Sequence, residues 1–139
     1  MSQENVEVMR TVYDRYREGD LRASADLLDP HAVLVLPKAS DWGPDTPESG
    51  LFIGPEGIAE YTRHMLLKPW ADFTLEAEEI VEAGDSVLIR VIQRAVGRTS
   101  GIPVELRYFT LWSFRGRQVI RIESFRERAE ALEAAGLSA

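Results

Sequence analysis

The side chains of this chain that could do chemistry are few and scattered. Asp41 stands beside Trp42 in a stretch rich in proline and glycine. An aspartate there could act as a general base with the indole as a wall or lid, although a loop aspartate is more often solvated. Only two histidines occur, His31 and His64, far apart. Imidazole titrates near neutrality, so His31 is a second candidate base; a histidine opening a strand is more often exposed or a capping partner. Arg90 and Arg94 stand four apart on one apolar stretch, roughly 13 Å from each other if extended. A guanidinium buried without a carboxylate or anionic ligand is costly to desolvate. The plainer reading is that each arginine reaches a rim or pairs with an acid. The tyrosines Tyr13, Tyr16, Tyr61 and Tyr108 could donate hydrogen bonds to a ligand, yet aromatics at regular spacing are more often core.

The chemistry that is missing narrows the field. There is no cysteine, hence no thiol chemistry and no disulfide. Two distant histidines make no metal-ligand cluster, so no metal is assigned. No phosphate loop or cofactor motif is present, and no cofactor is expected. A formal net charge of −7 argues against a nucleic-acid backbone or an anionic membrane as partner. No apolar run approaches ~20 residues and the first ten residues lack a secretory pattern, so a cytoplasmic protein is expected.

These residues need elements to hold them. With 139 residues, 45% of them hydrophobic, the chain fits one domain, 1–139, with one core. Val6, Met9, Tyr13 and Tyr16 recur at helical spacing and predict a helix from about residue 3 to 18, ended by Gly19. Asp20 opens a short second helix carrying Leu21, Ala25 and Leu28, stopped at Asp29-Pro30. His31 to Leu36 reads as a strand. Residues 37 to 54 form a long loop of the kind that is often functional. Gly54-Pro55 starts a helix with Ile58, Tyr61, Met65 and Leu66 as its buried stripe. Strands follow at Phe73–Val81 and Val87–Val96. Two more fill Val104 to Phe125, joined at Arg115–Gln118, with Tyr108, Thr110 and Trp112 on one face and Phe109 and Leu111 on the other. A helix over Arg126–Ala135 closes the chain. Helices early and strands late predict an α+β fold, a bent and mainly antiparallel sheet whose concavity the helices fill, leaving a pocket between the layers.

The segments REGDLRASADLLDPHAVLVLP, GPEGIAEY, EEIVEAGDSVLIRV and LRYFTLWSFRGRQVIRIESFRERAEALEAAG, in that order, resemble the SnoaL-like and ketosteroid-isomerase-like proteins of the nuclear transport factor 2-like (NTF2-like) superfamily. The resemblance implies a cone-shaped curved sheet closing a deep apolar pocket. It implies a homodimer through the sheet's outer face, for which Val87, Ile89, Val91, Phe109 and Leu111 are the expected apolar patch. It assigns Arg90, Ile92 and Arg94 to the pocket side.

The carboxylate base of the family's isomerases would precede Pro37, where Leu36 stands. Thr110 takes the place of their protonated acid, and Val12 that of their tyrosine. The usual proton-shuttling set is therefore absent. What remains is a pocket for an apolar or aromatic small molecule, with Tyr16, Leu36, Trp42, Tyr61, Met65, Arg90, Ile92, Tyr108, Thr110 and Trp112 as expected walls. Asp41 and His31 are the candidate bases should it be an isomerase, cyclase or hydrolase. A dimerisation module with a filled cavity is the third reading. Glu123 points outward by parity, and a one-residue slip would bring it inside.

Overall fold

The computed structural model describes residues 2–36 and 51–137. Asp41 and Trp42 lie outside the described residues. Helix α1 spans Ser2–Arg17. Val6, Met9, Val12, Tyr13 and Tyr16 bury one stripe while Glu7, Arg10, Asp14 and Arg17 stay in solvent. Its end is a Schellman closure. Gly19 takes φ +94°, its N–H donates to Tyr16 O at 3.0 Å, and Asp20 N–H donates to Arg15 O at 3.0 Å.

The expected second helix is only a turn followed by a 3₁₀ segment, Ala25–Leu27. Strand β1 then begins earlier than the sequence indicated, Leu28–Val35. Pro30 sits where the β1–β6 register shifts, between Leu28 and Val33, so its missing N–H costs the ladder nothing. The chain continues through β2 (Leu51–Ile53), α2 (Gly54–Tyr61) and a π-helix (Thr62–Leu67). Strands β3 (Trp70–Ala83), β4 (Ser86–Gly97), β5 (Pro103–Arg115) and β6 (Gln118–Phe125) follow, then α3 (Arg128–Ala135).

The architecture is α+β, one curved six-stranded sheet in the order β2-β1-β6-β5-β4-β3. Among the described strands only the β1–β6 pair is parallel. Helix α1 lies over β3 and β4, and α2 over β1, on the concave side. Most of the core sits between these helices and the sheet. Helix α3 covers part of the opposite face, where Leu88, Leu111 and Ala131 form a second, smaller cluster.

The β4–β5 ladder decides what faces inward. Val87 stands opposite Trp112, Ile89 opposite Thr110 and Val91 opposite Tyr108. Residues directly opposite in an antiparallel pair share a face. Val87, Ile89 and Val91 are accordingly among the fully buried side chains of the inner core, not part of an outer patch. Arg90, Ile92 and Arg94 lie on the outer face. The sequence expectation had this strand turned over, because one residue of register exchanges the two sides.

The outer face also differs from the expected apolar patch. Leu111 and Phe109 do face outward, but they belong to the cluster under α3, and Leu111 is buried. Beyond the helix a chain of charges crosses β3, β4 and β5. Arg94 bonds Glu76 and Glu105, Arg107 bonds Glu105 and Glu78, and Arg90 pairs with Glu78. Ile92 is buried on this face, flanked across the ladders by Glu76 and Arg107.

Candidate functional site

Between α1, α2 and the concave side of the sheet lies a cavity of ≈ 80 Å³. Strand alternation supplies one wall. Tyr108, Thr110 and Trp112 come from β5, and their ladder neighbours Ile122 and Ser124 from β6. Leu34 and Leu75 come from β1 and β3. The helical wall is Tyr13 and Tyr16 of α1, one turn apart, with Ile58 and Tyr61 of α2 and Thr62 and Leu66 of the π-helix. Leu21 and Ser24, in the turn after α1, also line it. All four tyrosines of the chain line this space.

Its polar groups form short relays. Trp112 Nε1–H donates to Thr110 Oγ1 at 3.0 Å, and Thr110 Oγ1 lies 3.4 Å from Tyr13 Oη. Tyr16 Oη donates to Ser24 Oγ at 2.7 Å, and Tyr108 Oη to the buried Gln93 Oε1 at 2.9 Å. Whichever of Tyr13 and Thr110 donates to the other, the second keeps a hydroxyl proton to offer. The rings fix the donors: Tyr13 meets Tyr16 edge-on at 4.8 Å between centroids and Trp112 at 6.3 Å.

The cavity is uncharged. Its described walls carry no carboxylate, imidazole, ammonium or guanidinium. Burial pushes the Tyr13 phenol up to about 12, against the lowering effect of its bonds to Thr110 and Trp112. Burial first, and the neighbouring phenols second, also hold Tyr16, Tyr61 and Tyr108 above their ordinary values. At neutral pH all four are donors that do not ionise. Such a site can hold and polarise an oxygen atom; among the described residues it offers no base.

The structure brings together five of the walls expected from sequence, Tyr16, Tyr61, Tyr108, Thr110 and Trp112. Other residues singled out from sequence fall elsewhere. Arg90 and Ile92 are on the outer face. His31 is exposed at the β1 irregularity, its N–H bonded to Asp29 Oδ1 at 2.8 Å, while Ala32, Leu34 and Leu36 take the inward parity. Leu36 is buried in the core without lining the cavity. Met65 lines an outer groove instead, because the π-helix brings Leu66 round to the cavity. Glu123 faces outward, opposite Leu111, and takes the guanidinium of Arg121 at 3.2 Å.

Sequence reasoning named Tyr13 as a possible donor but not as a wall, and passed over Ser24 and Ser124. Tyr13 was signalled by its three-residue spacing from Tyr16, and Ser124 by its parity with Ile122. Ser24 sits in an irregular turn and carried no signal. Among the described residues no group of three or more histidines, aspartates or glutamates could hold a metal ion. No described helix is long and apolar enough to cross a membrane.

A six-stranded curved sheet closing a donor-lined cavity is the architecture of the NTF2-like class, and the comparisons agree. The profile of the SnoaL-like domain matches residues 9–122, and the chain belongs to that family. No curated protein matches. Among solved structures, an NTF2-like protein of unknown function from Burkholderia pseudomallei is 21% identical, with 93% of this chain and 95% of that one covered and a TM-score of 0.72. TerC, crystallised with polyporic acid, is 21% identical over 95% of this chain and 98% of its own, with a TM-score of 0.71. IdmH, a putative polyketide cyclase from Streptomyces antibioticus, is 20% identical over 94% and 97%, with a TM-score of 0.68. At these identities the likeness is one of fold.

Proposed function

We propose that this SnoaL-like protein holds a compact, neutral, apolar or aromatic molecule bearing an oxygen acceptor in the cavity beneath α2. The observation that carries this reading is the uncharged relay Trp112–Thr110–Tyr13, which leaves one hydroxyl proton free beside apolar walls. A buried donor aimed at a ligand oxygen gives orientation and selectivity, and an anion entering the same space would forfeit its hydration without a cation to replace it. Calorimetric titration with phenol and with benzoate tests it. Phenol is expected to bind and benzoate not; benzoate binding as tightly would defeat the reading.

The second reading is an enzyme of the cyclase or isomerase type, favoured by the likeness to IdmH. The same donors would then stabilise charge developing on a substrate carbonyl oxygen. Asp41 would supply the base, His31 being on the outside. Loss of turnover in Asp41→Asn with the fold and phenol binding intact would support this reading; unchanged turnover would remove it.

Two copies pairing through the outer face is the remaining part of the proposal. The alternating Glu76, Arg94, Glu105, Arg107, Glu78 and Arg90 can complement itself across a twofold axis. Sedimentation should find a dimer that loosens as salt screens these charges. A monomer at every salt concentration would refute the pairing.

A further inference from the structure

Tyr61 is a wall of two spaces. Its ring lines the ≈ 80 Å³ cavity and also a solvent-open groove of ≈ 650 Å³ beside β2 and the π-helix. The inner space alone is small, since a cavity of roughly 150 Å³ is what lodges benzene in a protein core. A ring-sized ligand therefore needs one wall to give.

The walls differ in what they lose by moving. The hydroxyls of Tyr13, Tyr16 and Tyr108 are each bonded to a buried partner, Thr110, Ser24 and Gln93. The Tyr61 hydroxyl has no hydrogen-bond partner among the described residues; its ring rests on Phe52, tilted, at 5.2 Å between centroids. Tyr61 also ends α2, where the backbone changes to π geometry. Thr62 Oγ1 donates back to Ile58 O at 3.1 Å, a bond of the kind that bends helices. Single π turns recur at functional sites. The far end of this segment is held: the Arg98 guanidinium donates to Leu67 O and Lys68 O at 3.1 Å each. Motion of Tyr61 leaves that anchor in place.

We propose that cavity and groove are the two halves of one ligand site and that Tyr61 is the partition between them. This rests on the reading of the cavity given above. The ligand class is a neutral ring bearing an oxygen, which enters the cavity, with an apolar arm that leaves past Tyr61 along Phe52, Met65 and Pro69. The arm ends at Lys68, which has no acidic partner among the described residues and so fits an anionic terminus.

The test needs no known ligand for its first arm. In a protein whose only indole is Trp112, made by Trp42→Phe and Trp70→Phe, acrylamide quenching reports access to the cavity floor. Tyr61→Ala should raise the quenching constant severalfold, while Tyr61→Phe leaves it low. Leu21→Ala, which thins the wall shared with the separate cleft between the turn after α1 and α2, should also leave it low. No rise in Tyr61→Ala, with circular dichroism unchanged, overturns the inference, as does a rise in Leu21→Ala alone. In the second arm, the para-hexanoate derivative of phenol should bind more tightly than phenol, and Lys68→Ala should remove only that gain. Equal affinities overturn the arm's route. Opened quenching together with no binding of either probe would instead overturn the reading of the cavity itself.

Discussion

Tyr13 Oη and Thr110 Oγ1 lie 3.4 Å apart, joining α1 to the middle of β5 across the cavity. Thr110 Oγ1 is at the same time the acceptor for Trp112 Nε1–H. Thr110→Val keeps the shape and strands a buried indole N–H, which costs about 1–3 kcal/mol. Urea unfolding should show that loss, and phenol affinity should fall with it. Tyr13→Phe should cost less, because Thr110 keeps its bond from Trp112.

The phenol cluster sets the alkaline limit of stability. A phenol held neutral by burial keeps its proton in the fold while the unfolded chain releases it above pH ~10. Stability is therefore level below that point and falls as pH rises through the folded value, about 12 for Tyr13. Each such tyrosine contributes about 1.4 kcal/mol per pH unit in that window. The phenolate absorbance band should appear together with loss of helix signal, not before it. Gradual ionisation in a folded protein at pH ~10 would contradict the cluster's burial.

Arg90 tests the orientation of β4. Its side chain is 41% exposed and pairs with Glu78 outside the sheet. Arg90→Met should leave phenol affinity unchanged. Val91→Lys, by contrast, places an ammonium in the fully buried inner core and should unfold the protein. A folded Val91→Lys protein would mean the strand is turned the other way.

Gly54 starts α2 with φ +73°, and a Cβ there would stand 3.3 Å from Pro30 O. An L side chain in that conformation costs about 1–2 kcal/mol. Gly54→Ala should lower the urea midpoint accordingly. Gly84→Ala has the same sign of φ but open space around it, and should lose only the conformational part.

Much of this site was legible where one face of a strand differed from the other. In β5, Tyr108, Thr110 and Trp112 alternate with outward residues, and the period of two placed them correctly. In β4 the run Val87–Ile92 carries buried apolar residues on both sides, Leu88 packing under α3 and Ile92 flanked by Glu76 and Arg107 on the outer face. Periodicity cannot choose between two covered faces; only the ladder with β5 does, and its register depends on the turn between Gly97 and Ile102. The π-helix was similarly hidden. Tyr61 and Met65 fit an α spacing, and nothing in their types announces the wider turn. Asp29-Pro30 looked like a helix stop and is a strand irregularity, since a proline needs no ladder bond at a register shift.

The central claim is that a neutral ring occupies the space between Tyr13, Thr110 and Trp112. Crystals grown with para-bromophenol test it most directly through the anomalous signal of bromine. The account predicts a bromine peak inside the cavity, with the phenol oxygen within hydrogen-bond reach of the Tyr13 or Thr110 hydroxyl. A peak found only on the outer face near Arg90, or in the groove with the cavity unchanged, would contradict it.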